Sequence, residues 1–485
     1  MKKLFILLLL IVLTCLVKLN GCNSEPLSPQ ENLSFSNDIM PVFAANCSFP
    51  GCHNSVDKPF GIDLTSWNSI MLHGSIYGAE IIPYNSRWSH LIQHINYDTN
   101  IAPVSTPHMP KPHPPYTNGN PLPANITQML MKWIDEGAKN DIGETAFSNI
   151  TRKAFITNQA SDFVAVVNTD NYFVTRLIKV GETSGTLAAP HNVAVDNQGN
   201  YFYVTLISEG FVEKYNAHTY EKLGRLYAVT SPGHVIIMQD GLKGYVTNYS
   251  LSFSERFIKS FNTQTMQVIN TISDITMNAT HGGRITYDGQ YLIIVSELGE
   301  YIQIIRTSDD QVEQTIPVDI SVPPNGNGTG NFRPIAVSIS PNDMYAFVTC
   351  DKSNDLRVLD LKTRTITAVI PVGIFPIQSE CSPDGNWVYV ANRNSNSVSV
   401  INVSSLSVYK TIPGVGAQPH GVAFTPDGRY AYVTCESVNG TFVHHPLTGS
   451  YRPGTTAVID LFNNHVKIKD IEMASYPAGI SITRQ

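Results

Sequence analysis

Residues 376–413 read PIQSECSPDGNWVYVANRNSNSVSVINVSSLSVYKTIP, and the way this stretch divides decides the fold. Apolar side chains alternate with polar ones over 387–392, 397–402 and 408–412. A Ser382-Pro383-Asp384-Gly385 turn separates the first of these from the hexapeptide 376–381. Period-two alternation between clusters of Gly, Pro, Asn and Asp is the signal of half-buried strands. The stretch therefore predicts four successive strands.

The unit recurs. Its opening hexapeptide aligns with Pro190-His191-Asn192-Val193-Ala194-Val195 and with PGHVII at 232–237, THGGRI at 280–285, PIAVSI at 334–339, PHGVAF at 419–424 and PAGISI at 477–482. The intervals are 42, 48, 54, 42, 43 and 58 residues. Periods of about 40 to 50 residues with several strands each mark propeller blades. The ends of the series fit a closed ring. Residues 153–180 hold only the later strands of a unit and 477–482 only a first strand, so together they complete a seventh blade and remove an open sheet edge. The repeats are similar to the YVTN family of seven-bladed propellers: Tyr245-Val246-Thr247-Asn248 carries those letters, with variants at Tyr389-Val390-Ala391-Asn392 and Tyr432-Val433-Thr434-Cys435. The resemblance covers residues 150–485 and implies a mainly β, seven-bladed propeller. It implies no activity, because propellers host unrelated functions.

The other end of the chain reads differently. Lys2 and Lys3 precede an apolar run of 14 residues, Leu4 to Val17. A bilayer span takes about 20, so the run predicts the core of a secretory signal over 1–21. Leu19-Asn20-Gly21-Cys22 resembles the bacterial lipoprotein processing box. This implies lipidation of Cys22, a linker over 22–32 and an exported, membrane-anchored chain on the periplasmic or cell-surface side; plain secretion is the alternative. A net charge of −7, more negative once Lys2, Lys3 and Lys18 are removed, repels nucleic acid. Few charged residues, 15%, with abundant Gly and Pro, suit a β-rich exported protein.

Composition changes near residue 145, and a boundary is expected at 143–150. Residues 33–142 hold three of the four Trp and two helical patterns. The first, Phe35 to Phe43, has Ser36 or Asn37 as cap and Pro41 in its opening turn. The second opens at Pro123, places Ile126, Met129, Leu130, Trp133 and Ile134 on one face, and stops at Gly137. Between them lie Cys47, four residues, then Cys52 and His53. A thiol pair followed at once by an imidazole is the pattern of covalent c-type haem, whose usual spacing is C-x-x-C-H. The same residues also fit a Cys47–Cys52 disulfide in an oxidising compartment or zinc held with a loop histidine. The span 33–139 resembles the small cytochrome c domains of large exported bacterial proteins, which share the helix before the thiols, a later Met-Pro and a final Trp-Ile helix ending in Gly-Ala. By that resemblance Cys47 and Cys52 carry one haem c, His53 is the proximal iron ligand and Met109, in the loop 106–113, the distal one. The two extra spacer residues are the departure. His108, His113, His90, His94 and His73 are the alternative sixth ligands, and Met129 and Met131 are packing residues on a helix.

In the propeller, His191, His281 and His420 follow the leading residue of three inner strands, and His234 sits one place later. They are candidate ligands for a metal, a second cofactor or an anion at the channel mouth, against the plainer reading of hydrogen-bonded structural histidines. Arg284 and Glu380 share a strand position and can face each other or a ligand. Residues 323–330, PPNGNGTG, read as a flexible insertion. Three functions follow as expectations. The first is a lipid-anchored monohaem electron carrier whose propeller docks a redox partner or small ligand. The second is a haem-coupled oxidoreductase with substrate or metal at the propeller mouth, and the third a non-redox binding module.

Overall fold

A computed structural model describes residues 33–112, 121–182, 185–437, 443–445, 447 and 452–484. The signal, Cys22, the linker and His113 lie outside the described residues. No helix among the described residues is long and apolar enough to cross a membrane.

Seven four-stranded sheets form a ring. Their inner strands are Pro190–Val195, Pro232–Ile237, Thr280–Ile285, Pro334–Ile339, Pro376–Cys381, Pro419–Phe424 and Pro477–Ile482, which open blades one to seven. Each inner strand packs on its neighbours around a central channel. The quoted stretch is blade five, with strands Pro376–Cys381, Trp387–Asn392, Ser397–Asn402 and Ser407–Pro413. Apolar side chains of successive sheets interdigitate, as Phe347 and Val358 of blade four do with Val388 and Ile401 of blade five. Burying each such side chain stabilises the ring by about 1.5–3 kcal/mol. Blade seven is completed from both ends of the propeller: Pro477–Ile482 pairs antiparallel with Lys153–Asn158, matching Ile480 to Ile156 and Ile482 to Ala154.

The threonine of the YVTN-like motif has a structural task. The hydroxyls of Thr157, Thr205, Thr247, Thr349 and Thr434 donate to carbonyls on the next blade's inner strand, those of His191, Gly233, His281, Ile377 and Ala478, at 2.5–3.2 Å. Blades three and five carry Val295 and Ala391 at this place. Close approach of inner strands also requires Gly282: a Cβ there would lie 2.6 Å from Ala336 Cα.

The N-terminal region consists of short helices. A π-helical turn, Phe35–Ile39, runs into helix α1, Met40–Asn46; α2 is His90–Ile95 and α3 is Ala124–Asp135. Ser34 caps the first turn, accepting from the Asn37 amide at 3.2 Å. This replaces the expected cap at Ser36 or Asn37, since the Ser36 hydroxyl donates to Asp141 at 2.5 Å instead. Phe43, Met71, Ile92, Leu130, Trp133 and Ile134 form the core, with Met129 and Met131 packed against its edge. Trp133 Nε1 donates to the Lys139 carbonyl at 2.9 Å, which seats α3 on the turn that ends it. This region rests on blades six and seven. Lys469 Nζ bonds the Ile76 carbonyl, Tyr77 stacks on His444 at 4.2 Å and Phe147 meets Phe173 edge-on at 6.1 Å.

The glycine-rich segment 323–330 is held in place. Glu300, fully buried, accepts from the Thr329 hydroxyl at 2.7 Å and from the Phe332 amide at 2.7 Å, while Arg256 donates to Asn327 at 2.7 Å. A carboxylate elsewhere in the chain fixes the segment that local composition marks as flexible.

Candidate functional site

Three groups of chemically capable side chains stand apart. The first lies where α1 ends. Cys47 caps that helix, its amide bonded to the Phe43 carbonyl at 2.8 Å, and the His53 amide turns back to the Cys47 carbonyl at 2.9 Å. The spacer between the thiols is closed by Asn54 and Asp57: Asp57 accepts from the Gly51 amide at 2.8 Å and Asn54 Nδ2 donates to the Phe49 carbonyl at 2.9 Å. Cys47 and Cys52 are free thiols, not a disulfide. Burial, with Cys52 beside it, pushes the Cys47 thiol up to about 12. Burial also lowers His53; the Ile62 carbonyl faces its ring and partly offsets this without closing a full hydrogen bond to the buried Nδ1.

Met109 comes to the same place. Cys47 and Met109 both pack against the apolar core of the helical region. The positive charge of Lys111, two residues on, is felt at Cys52 and at His53. The loop is pinned from α2: the Met109 amide donates to the His94 carbonyl at 2.8 Å, and His94 Nδ1 donates to the Pro107 carbonyl at 2.8 Å. His108 stacks on Tyr97 at 4.2 Å. His90 lies against Glu472 at 3.4 Å, and His73 faces the Asn68 carbonyl at 3.3 Å. Nδ1 of His94 is thus occupied, whereas Nδ1 of His108 and of His90 is buried without a partner.

The second group is at the hub. A register shift of one residue interrupts the pairing of blade one's inner strand between Pro190 and Val193, and the same shift lies between Pro232 and Val235, Thr280 and Gly283, and Pro419 and Val422. A bulge re-aims the side chains it contains, and these four contain His191, His234, His281 and His420. The rings cluster with centroids 5.0–6.4 Å apart. His420 Nδ1 donates to Glu436 at 2.6 Å, and Glu436 also accepts from Arg393. Burial opposes the Glu436 charge, but those two partners hold it below the usual carboxylate value. Beyond His234 the channel opens to about 410 Å³, with Arg284, Glu380 and Arg484 along its wall. Arg284 and Glu380 pair with each other across the channel.

A third cluster was not evident in the sequence. Glu472, on the outer strand Val466–Ser475, accepts from His445 Nδ1 at 2.5 Å and from the His444 and His445 amides, beside His90 of α2. Only the pair His444-His445 in a loop hinted at it. Gln159 and Glu436, which orient hub histidines, each follow directly on the last residue of a blade's second strand.

The seven four-stranded sheets define a seven-bladed β-propeller, and part of it is similar to known families. Residues 257–409 match the family described as lactonase, seven-bladed β-propeller. The chain is 30% identical over 102 residues to antigen Lp49 of Leptospira interrogans serogroup Icterohaemorrhagiae serovar copenhageni (strain Fiocruz L1-130), covering 20% of this chain and 21% of that one. It is 26% identical over 173 residues to the uncharacterized protein YncE of Salmonella typhi, covering 35% and 45%. The matches thus span less than half the length of these curated relatives. A functionally unknown protein from Desulfotomaculum acetoxidans DSM 771 superposes with a TM-score of 0.54 at 14% identity, over 69% of this chain and 99% of that one; this likeness concerns the fold alone.

Proposed function

We propose that the protein is an exported, lipid-anchored monohaem c-type cytochrome that carries single electrons, with the propeller as docking platform for a redox partner or small ligand. The observation that carries this reading is that Cys47 and Met109, more than 50 residues apart in sequence, pack against a single apolar core, while the charge of Lys111 in the Met109 loop is felt at Cys52 and His53. The donor set fits haem c: two thiols for thioether bonds, an imidazole with a buried, unpartnered Nδ1, and a thioether sulfur. Cys47, Cys52, His53 and Met109 would hold the group, which when bound would supply a one-electron iron couple there. The chain's own residues do the rest. The core around Phe43 and Trp133 excludes water, His94 fixes the Met109 loop, and Lys111 sets a positive charge beside the site, which favours the reduced state and an acidic partner surface.

The test is the reduced pyridine haemochrome spectrum of the denatured full-length protein, expressed with cytochrome c maturation machinery. A c-type spectrum is expected in the wild type and none in Cys47→Ala/Cys52→Ala. A folded wild type without haem, while a control cytochrome matures in the same cells, overturns the reading and leaves a thiol or disulfide binding module. In the same preparations Cys22→Ser is expected to move the protein from the membrane to the soluble fraction; unchanged membrane association rejects the anchor. The matched family description favours a second reading, lactone hydrolysis in the channel near Arg284 and Glu380. It requires turnover of a lactone by the haem-free double variant.

A further inference from the structure

We propose that the hub of the propeller is a transition-metal site in which His191, His234 and His281 bind one ion and leave a coordination position open to the channel. Their ligand nitrogens all lie within 4.8 Å of one another. The hydrogen bonds decide which nitrogens are available. His281 Nδ1 lies 3.0 Å from the Ile335 carbonyl. A carbonyl only accepts, so Nδ1 carries the proton and Nε2 a bare lone pair. His191 Nδ1 lies 3.1 Å from Gln159 Oε1, which leaves His191 Nε2 bare as well. These two Nε2 atoms stand 3.0 Å apart. Two lone pairs at that distance repel, and a cation between them removes the conflict. Two imidazole nitrogens on one tetrahedral ion, each at about 2.0–2.1 Å, are about 3.3 Å apart, so the hub needs only a small adjustment to close on a metal.

The surroundings suit this use. Two of the three rings, His191 and His281, have their other nitrogen held by an oxygen, the arrangement that orients metal-ligating histidines. Burial, with the neighbouring imidazoles, disfavours the charged form of all three rings. Glu436, Glu297 and Asp351 ring the hub against Arg393 and Arg333, a balance that tolerates an added cation. His234, half-buried and lining the channel, gives the ion its way in, and the open position faces the Arg284–Glu380 wall. Neutral imidazoles select Cu, Zn, Ni or Fe over Mg or Ca. The competing arrangement turns the Gln159 amide over, so that His191 Nε2–H donates to His281 Nε2 and no ion is needed.

The experiment is metal titration of the chelator-stripped full-length Cys47→Ala/Cys52→Ala variant with Zn²⁺ and Cu²⁺ against a chromophoric competitor, with bound metal counted by mass spectrometry. That background removes the thiols and any haem iron, so the result stands or falls independently of the electron-carrier reading. One ion per chain is expected, with nitrogen hyperfine structure in the Cu²⁺ electron paramagnetic resonance spectrum. His281→Gln, which keeps a donor toward the Ile335 carbonyl, and His191→Ala are each expected to weaken binding at least 100-fold at unchanged melting temperature. The exposed His218→Ala is expected to bind as its parent does. Binding of less than a tenth of an equivalent, or binding that survives both hub substitutions, overturns the proposal and leaves the imidazole–imidazole hydrogen bond.

Discussion

One threonine hydroxyl in each of five blades explains much of how the hub is held. Thr247 Oγ1 accepts from the His234 amide at 2.8 Å and donates to the His281 carbonyl at 2.6 Å, so it ties blade two to blade three through the backbones of two hub histidines. Thr247→Val keeps the shape and strands both buried groups. An expected loss of about 2–3 kcal/mol follows from two unsatisfied backbone partners, read as a lower urea midpoint at unchanged slope. A shift of under 0.5 kcal/mol would show that the tie is redundant. The motif letters were legible in the sequence, but the partner of the threonine was not, because it belongs to the next blade. The histidines were likewise visible as residues that follow a strand's first position. What aims them inward is an extra residue in the ladder, and the period-two pattern carries no mark of it. Thus His234, one place out of register, joins the group by geometry that alignment obscures.

At the scale of elements, the helical region sets His90 of α2 against a charged pair within blade six, His445 and Glu472. Burial works against the Glu472 carboxylate, but the bond from His445 and the nearby His90 hold it down to about 2; burial also works against the His445 imidazolium, and Glu472 holds it above its ordinary value. Burial, the largest cause at each of the other groups facing the pair, raises Glu80, lowers His90 to about 3 and lowers His94. Glu472 thus contributes stability that is complete above its ordinary 4.5 and is lost as pH falls toward 2. His445 contributes stability that is complete below its ordinary 6.5 and is lost as pH rises through its raised value. The contact is tightest between those two values. Amide exchange in Val466–Ser475, corrected for intrinsic rate, is expected to be about five- to tenfold faster at pH 9 than at pH 5.5, corresponding to about 1–1.4 kcal/mol. Glu472→Gln is expected to abolish the difference; equal protection at both pH values in the wild type would remove the contact from the account. α3 was readable from its apolar face and Gly137. The six-residue α2 was not, since fewer than two turns leave too little periodicity to separate from a strand.

For the molecule as a whole, closure of the ring is the decisive contact. Deleting residues 477–485 leaves the edge of Lys153–Asn158 unpaired and the hub short of one inner strand. Thermal unfolding is expected to lose its single cooperative transition, with the truncated chain aggregating through that edge. A truncated chain that melts as the full one does would refute the role assigned to the last strand. Ring size and the split blade were legible because each blade repeats one pattern. The seating of the helical region on blades six and seven was not, because it rests on single contacts such as Tyr77 with His444 and Lys469 with the Ile76 carbonyl.

Closure also sets an order in time. Thr157 meets Gly479, 322 residues later in the chain, so a polypeptide emerging from its N-terminus first cannot finish blade seven until its last residues appear. The helical region and its thiol pair emerge long before that. Cys47 and Cys52 therefore pass through an interval in which no finished propeller is pressed against their region, and the arrival of the final strand ends it.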